Sequence, residues 1–182
     1  MITIVGSKDD SRLDVGEMLK INTDLARKVL VGFIRDAVTK IGFSKAVIGL
    51  SGGIDSALSA ALAVEALGAE NVLCVRMPYQ TSSAGSLSDA QVLIDQLGTP
   101  SLTIEITPMV DPLIAQFPDM SALRRGNIMA RTRMIVLYDK SEVFKALPVG
   151  TSNKTEILLG YSTMYGDSAS AMNPTATATE RL

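Results

Sequence analysis

Apolar and polar positions fall along this chain in blocks whose period switches between helix and strand. From Ile21 to Ile41, Leu25, Val29, Gly32/Phe33 and Asp36/Ala37 recur at helical spacing, with Arg27, Lys28, Arg35 and Lys40 elsewhere around the wheel. Asn22 or Thr23 is placed to cap this helix. Ala46-Val47-Ile48-Gly49-Leu50 is then an apolar run of strand length, the signature of a strand covered on both faces. Ser51-Gly52-Gly53 breaks it, Ile54 to Leu67 is helical in composition, and Gly68 is a C-cap.

The alternation repeats. Asn71 to Met77 reads as a second strand, Tyr79 to Gly85 as a loop, and Ser86 to Leu97 as a helix ended by Gly98 and Pro100. Leu102 to Ile106 alternates as a third strand, and Val110 to Phe117 is a short helix. Ser121 to Phe144 is a long helix, Leu147 to Val149 a fourth strand, and Ser152 to Tyr161 a last helix. The repetitive tail Thr175 to Thr179 reads as a frayed end. Strands alternating with helices predict an α/β fold with a parallel, doubly wound sheet.

Composition narrows the chemistry. The 182 residues suit one domain and include no His and one Cys. That excludes a Ser-His-Asp triad, a Cys-His dyad, a His-ligated zinc, an internal disulfide and a CxxC motif. Carboxylates, Lys, Arg, hydroxyls, backbone amides and a hard metal ion are left. A net charge of -2 argues against a general nucleic-acid binder. The longest apolar stretch, Ala57 to Val64, stops at Glu65, far short of the roughly 20 residues that span a bilayer. Met1 to Asp14 carries Lys8, Asp9, Asp10, Arg12 and Asp14 around no apolar centre, so no signal peptide is expected, and the expected compartment is the reduced cytoplasm.

The most informative segment is Leu50-Ser51-Gly52-Gly53-Ile54-Asp55-Ser56, between a predicted strand and a predicted helix. Glycines there let backbone N–H groups turn toward an anion, and the helix adds its open N–H groups and positive dipole end. Ser51 and Ser56 can donate hydroxyls to phosphate oxygens, while Asp55 would repel phosphate unless it holds Mg²⁺, which binds both. The plainer reading is a tight strand-to-helix turn with Asp55 or Ser51 as N-cap. No GKS or GKT follows, so this is not a Walker A loop.

Two further segments carry chemistry. In Arg124 to Met134, a helix places Asn127, Arg131, Met134 and Tyr138 along one stripe, fit to line an anionic pocket or to be a solvated face. In Val149 to Tyr161 a strand again ends in a Gly turn and enters a helix, which brings Thr151 and Glu156 to the crevice of the first loop. Glu156 also stands at capping-box spacing from Asn153.

The Ser51–Ser56 string resembles the SGGxDS loop of the N-type ATP pyrophosphatases, which cleave ATP between its α and β phosphates. Gly126 to Met134 is similar to the GNxxARxRM helix of the NAD synthetase family, and Gly150 to Glu156 with Tyr165-Gly166-Asp167 to its GTxNKxE and YGD stretches. The three motifs cover roughly residues 46 to 174. The resemblance implies a Rossmann-like, adenine nucleotide alpha hydrolase-like fold. It implies ATP at Gly49, Leu50, Ser51, Gly52, Gly53, Ile54, Asp55, Ser56, Arg76 and Thr151, and deamido-NAD at Asn127, Arg131 and Asp167. Asp55 and Glu156 would share Mg²⁺, and Asp55 and Asp167 would serve the chemistry, Asp167 by helping to deprotonate ammonium.

The implied reaction is amidation of deamido-NAD by ammonia through an acyl-adenylate, in a homodimer. Cys74, inside a predicted buried strand, is no glutaminase nucleophile, so a glutaminase would be a separate domain or chain. Two alternatives stand beside this reading: a GMP synthetase-type adenylating enzyme, and a non-catalytic nucleotide-binding domain. The sequence departs from the family pattern at Thr163-Met164, where many ammonia-using members carry Lys before YGD. The expected organisation is one domain over residues 1–182 that lacks the family's C-terminal segment.

Overall fold

The computed structural model describes residues 20–177, so the readings of Met1–Asp14 and of Ala178-Thr179 lie outside the described residues. The elements are α1 (Thr23–Lys40), β1 (Ala46–Gly49), α2 (Ile54–Leu67), β2 (Val72–Arg76), α3 (Ala84–Leu97), β3 (Ser101–Thr103), α4 (Thr107–Ile114), α5 (Ala122–Phe144), β4 (Leu147–Val149), α6 (Lys154–Leu159) and α7 (Pro174–Thr177). The four strands form one parallel sheet in the order β3-β2-β1-β4. The predicted doubly wound α/β architecture is therefore the observed one.

Side chains alternate across the strands, and each face meets its own set of helices. Ala46 and Ile48 of β1 join Val72 and Cys74 of β2 in a core with Val31, Ile34 and Val38 of α1, Ala60 and Ala63 of α2, and Ile94 of α3. Val47, Leu73 and Val75 point the other way, onto Val110 of α4 and Val136 of α5. Both faces of the central strands are covered, which is why they read as unbroken apolar runs.

Several boundaries moved. The α2 limits match the prediction to the residue, because Gly53 and Gly68 punctuate both ends. Asn71 sits in a 3₁₀ turn, not in β2. The helix predicted from Ser86 starts at Ala84, where the Ser83 side chain accepts from Ser86 N–H. The strand predicted over Leu102–Ile106 is assigned only at Ser101–Thr103, although Ile104 and Ile106 N–H still donate to the Arg76 and Pro78 carbonyls. The following helix begins at Thr107, three residues earlier than predicted, with Pro108 in its first turn, where a missing N–H costs nothing. The last long-helix segment shortens to α6, which Asn153 caps and Gly160 ends. The tail read as frayed instead forms α7 at Pro174–Thr177: Ala176 is buried and the Thr175 hydroxyl donates to the Ser152 carbonyl. Among the described residues no helix is long and apolar enough to cross a membrane.

Candidate functional site

The strand order reverses between β1 and β4. Chain connections from β1 run one way to β2 and β3, and then return to the other side of β1. At such a reversal the loops leaving two neighbouring strands diverge and open a crevice at their carboxyl ends. Here those loops are Leu50–Gly53 after β1 and Gly150–Asn153 after β4.

The first loop is tied shut by its own hydroxyls. Ser56 Oγ donates its single proton to the Gly53 carbonyl at 2.9 Å. The 3.0 Å contact between Ser51 Oγ and Ser56 Oγ must therefore use the Ser51 proton. Ser51 Oγ in turn accepts the Gly53 N–H at 3.2 Å. Both hydroxyl protons are thus committed inside the loop, rather than offered outward as the sequence reading expected. Gly52 makes the turn possible: its φ is +86°, and a Cβ there would lie 2.3 Å from the Ser86 carbonyl oxygen. The loop is seated against the first turn of α3.

The N-terminus of α2 is open. Its N-cap is Gly53 with no side-chain bond, whereas α1, α3, α5 and α6 are capped by Asn22, Ser83, Ser121 and Asn153. Neither Asp55 nor Ser51 takes the capping role of the plainer reading. The amides of the first turn and the positive end of the helix dipole face the crevice without a built-in acceptor.

Glu156 does form the capping box: its Oε2 accepts the Asn153 N–H at 3.0 Å, and Asn153 Oδ1 accepts the Glu156 N–H at 2.9 Å. Asp55 and Glu156 nevertheless line the same small cavity of about 160 Å³, together with Ser51, Ser56 and Thr151. Among the described residues no three Asp, Glu, His or Cys side chains converge closely enough to hold a metal ion by themselves.

A larger cleft of about 440 Å³ adjoins it, and Ser51, Thr151 and Asp167 line both. Its walls are largely apolar, with Leu50, Met77, Met134 and Leu137 among them. Close packing shapes its rim. A Cβ on Gly49 would come within 3.1 Å of Met77 and 3.3 Å of Leu137, and one on Gly166 within 3.0 Å of Ala130. Tyr165, with φ +59°, turns the chain so that Gly166 reaches α5 and Asp167 reaches the cavities. Asp167 accepts the Thr163 N–H.

The stripe on α5 that faces the cleft differs from the one expected. Ala130, Arg133, Met134 and Leu137 line it, at helical offsets of three, four and seven. Asn127 and Arg131 lie to one side and hold the segment before Asp167. Asn127 Oδ1 accepts the Thr163 hydroxyl at 2.9 Å, and Arg131 Nε donates to the Met164 carbonyl at 3.1 Å. Met164, at the departure from the family pattern, is thus engaged through its backbone. Tyr138 lies on the surface. Sequence reasoning missed Arg133. The signal was available, because Arg133 falls one turn from Ala130 and Leu137, but spacing alone does not say which side of a helix meets a cavity. Arg133 is half-buried, its Nε donates to the Met77 carbonyl at 3.1 Å, and burial pushes its pKa down. Arg76 ends β2 and lines neither cavity; its Nε is buried without a hydrogen-bond partner.

A parallel sheet with a glycine turn into an uncapped helix at its strand-order reversal defines a doubly wound α/β domain with its crevice at the carboxyl ends of β1 and β4. The family model described as NAD synthase matches residues 26–181, and the chain belongs to that family. The NH(3)-dependent NAD(+) synthetase of Trichlorobacter lovleyi is 56% identical over 156 residues, which are 86% of this chain and 57% of the relative. This chain therefore spans little more than half the length of such relatives. Among solved structures, the NH3-dependent NAD synthetase from Campylobacter jejuni, in complex with nitrate, superposes with a TM-score of 0.81 at 42% identity, over 85% of this chain and 67% of that one. The glutamine-dependent NAD+ synthetase from Acinetobacter baumannii, in complex with ADP, gives 0.82 at 35% identity, over 86% of this chain and 31% of that one.

Proposed function

We propose that this chain carries the nucleotide site of an ammonia-dependent NAD synthetase, a ligase that amidates deamido-NAD with ammonia to give NAD, AMP and pyrophosphate. The observation that carries this reading is convergence. Motifs about a hundred residues apart, Ser51–Ser56 and Thr151–Glu156, share one crevice, and Asp167 borders both of its cavities.

In the first step a carboxylate oxygen of the nicotinate group attacks the α-phosphorus of ATP. The bond to the β-phosphate breaks, pyrophosphate leaves, and an acyl-adenylate forms. The open amides of Ile54, Asp55 and Ser56 meet the charge that gathers on the departing pyrophosphate. In the second step the ammonia nitrogen attacks the acyl carbon, AMP leaves with the bonding electrons, and the nitrogen loses a proton. Asp167, exposed beside both cavities, is the carboxylate in reach of this role.

Mg²⁺ fits the donor set, since Asp55 and Glu156 present hard oxygen ligands beside the phosphate loop. Capping and metal binding are compatible for Glu156, because only its Oε2 serves the cap. When bound, the ion would neutralise phosphate charge. Leu50, Gly49 and Thr151 border the nucleotide, and Arg131 and Asn127 organise the side that would receive deamido-NAD. A homodimer belongs to this reading, supported by the exposed Ile135 and Val143 on α5. So does a cytoplasmic location, in keeping with a free, buried Cys74, and that burial leaves any glutaminase to another domain or chain.

The test is ATP–pyrophosphate exchange. Exchange that requires deamido-NAD supports the reading, and exchange that requires xanthylate replaces it with a GMP synthetase type. ATP binding without exchange under either condition leaves a non-catalytic nucleotide-binding domain.

A further inference from the structure

Among the described residues Arg133 is the one cationic side chain that lines the larger cleft. It is half-buried and, among the described residues, forms no ion pair, even with Asp167, the carboxylate that lines the same cleft. Of its five N–H donors one is fixed, Nε to the Met77 carbonyl. A guanidinium taken partly out of water with one neutral partner is a poor end state, because its charge is left uncompensated. The burial that pushes its pKa down expresses the same cost. The bond to Met77 also aims it, since it fixes the planar fork beside the residue that follows β2 and itself lines the cleft.

We propose that Arg133 binds the α-phosphate of the adenine nucleotide. This rests on the nucleotide reading above and adds a residue to it. The small cavity, with Asp55, Glu156 and the open amides of α2, suits the distal phosphates. The apolar walls of the larger cleft, Leu50, Met77, Met134 and Leu137, suit the base and ribose. A nucleotide laid across both leaves its α-phosphate as the anionic group on the side of Arg133. A guanidinium meets a phosphate with paired, charge-assisted hydrogen bonds. The role is distinct from that of the loop, which serves the part of ATP that departs. Arg133 would hold the part that stays, in ATP, in the acyl-adenylate and in AMP.

NMR titration, which reads weak binding, tests this with AMP, adenosine and inorganic pyrophosphate on the wild-type chain, Arg133→Gln and Arg133→Lys. Arg133→Gln keeps a donor for Met77 and removes the charge. Its AMP affinity is expected to fall roughly ten- to hundredfold, the loss of a hydrogen bond to a charged group, while adenosine and pyrophosphate binding stay unchanged. Arg133→Lys, which restores a charge but not the fork, recovers part of the AMP affinity. Equal losses for AMP and adenosine would overturn the proposal and make Arg133 a strut that shapes the base pocket. Unchanged AMP binding by a folded variant overturns it as well. Should Arg133→Gln not fold, Arg133→Lys decides alone: a loss confined to AMP supports the assignment, and a loss shared with adenosine ends it. A wild-type chain that binds pyrophosphate but neither AMP nor adenosine overturns the nucleotide reading itself, and this assignment with it.

Discussion

Replacing Gly52 by Ala adds one methyl group at the tightest point of the Leu50–Gly53 loop. Two costs follow. At φ +86° an L side chain incurs about 1–2 kcal/mol from its own backbone. The new Cβ would also stand 2.3 Å from the Ser86 carbonyl oxygen and 2.9 Å from its carbonyl carbon, both backbone atoms that cannot swing aside. Overpacking of this kind costs about 1–3 kcal/mol. The sum, about 2–5 kcal/mol, is a large share of the roughly 5–15 kcal/mol that holds a domain together. Gly98→Ala is the control: φ is +65° there, but nothing lies within 4 Å of the added Cβ, so only the backbone cost applies. Urea unfolding of both variants, compared at constant slope, separates the two costs. Gly52→Ala should lose about 1–3 kcal/mol more than Gly98→Ala, and its ATP affinity should collapse while that of Gly98→Ala holds. Equal destabilisation by both substitutions would refute the seating of the loop on α3.

Three further outcomes are expected. Asp55→Ala should weaken Mg²⁺–ATP far more than AMP in calorimetric titration; equal losses would remove Asp55 from any metal site. Arg131→Ala removes the bond to the Met164 carbonyl and should lower deamido-NAD affinity roughly ten- to hundredfold with ATP affinity nearly unchanged, and the reverse pattern would move Arg131 to the nucleotide side. Burial pushes the Cys74 thiol up, with the Thr99 hydroxyl acting weakly the other way, so a thiol reagent at mildly alkaline pH should label it only as fast as the chain unfolds. Because the native thiol holds its proton to higher pH than the unfolded one, this group's share of stability is lost as pH climbs from the free-thiol range toward the raised native value. Rapid labelling of the folded protein would contradict the buried placement.

How far the sequence was legible depended on whether a local rule had a competitor. Glycines on both sides of Ile54–Leu67 admitted one reading, and the helix followed it to the residue. Leu102–Ile106 alternated like a strand, yet it lies at the sheet edge, where pairing to β2 alone supports only a short ladder before Pro108 opens α4. Thr175–Ala176 looked featureless because its anchor, the Ser152 carbonyl, is remote in sequence. At the site, the loop and the Thr151–Glu156 turn were readable as strand-to-helix glycine turns. The hydroxyl traffic between Ser51 and Ser56 was not, since it depends on how tightly the turn closes. Nor was the choice of Arg133 over Arg131 for the cleft, because helical periodicity groups residues without orienting the group. Glu156 was read both as cap and as ligand, and its capping bonds occupy one oxygen while the side chain still borders the cavity.

The pairing of β1 with β4 has a consequence for how the protein comes into being. Ala46 lies opposite Leu147, so the two walls of the crevice belong to strands roughly a hundred residues apart. Relative to a ten-residue hairpin, closing a loop of that length costs about 2 kcal/mol more chain entropy, and nothing in the crevice repays it until β4 docks. β1, β2 and α2 can associate earlier, through the parallel pairing of Ala46–Gly49 with Val72–Val75. On that account the Leu50–Gly53 turn would form before the crevice that needs β4. A ligand that bridges the two walls would act as a clasp on this long-range seam, and would slow unfolding by holding it shut.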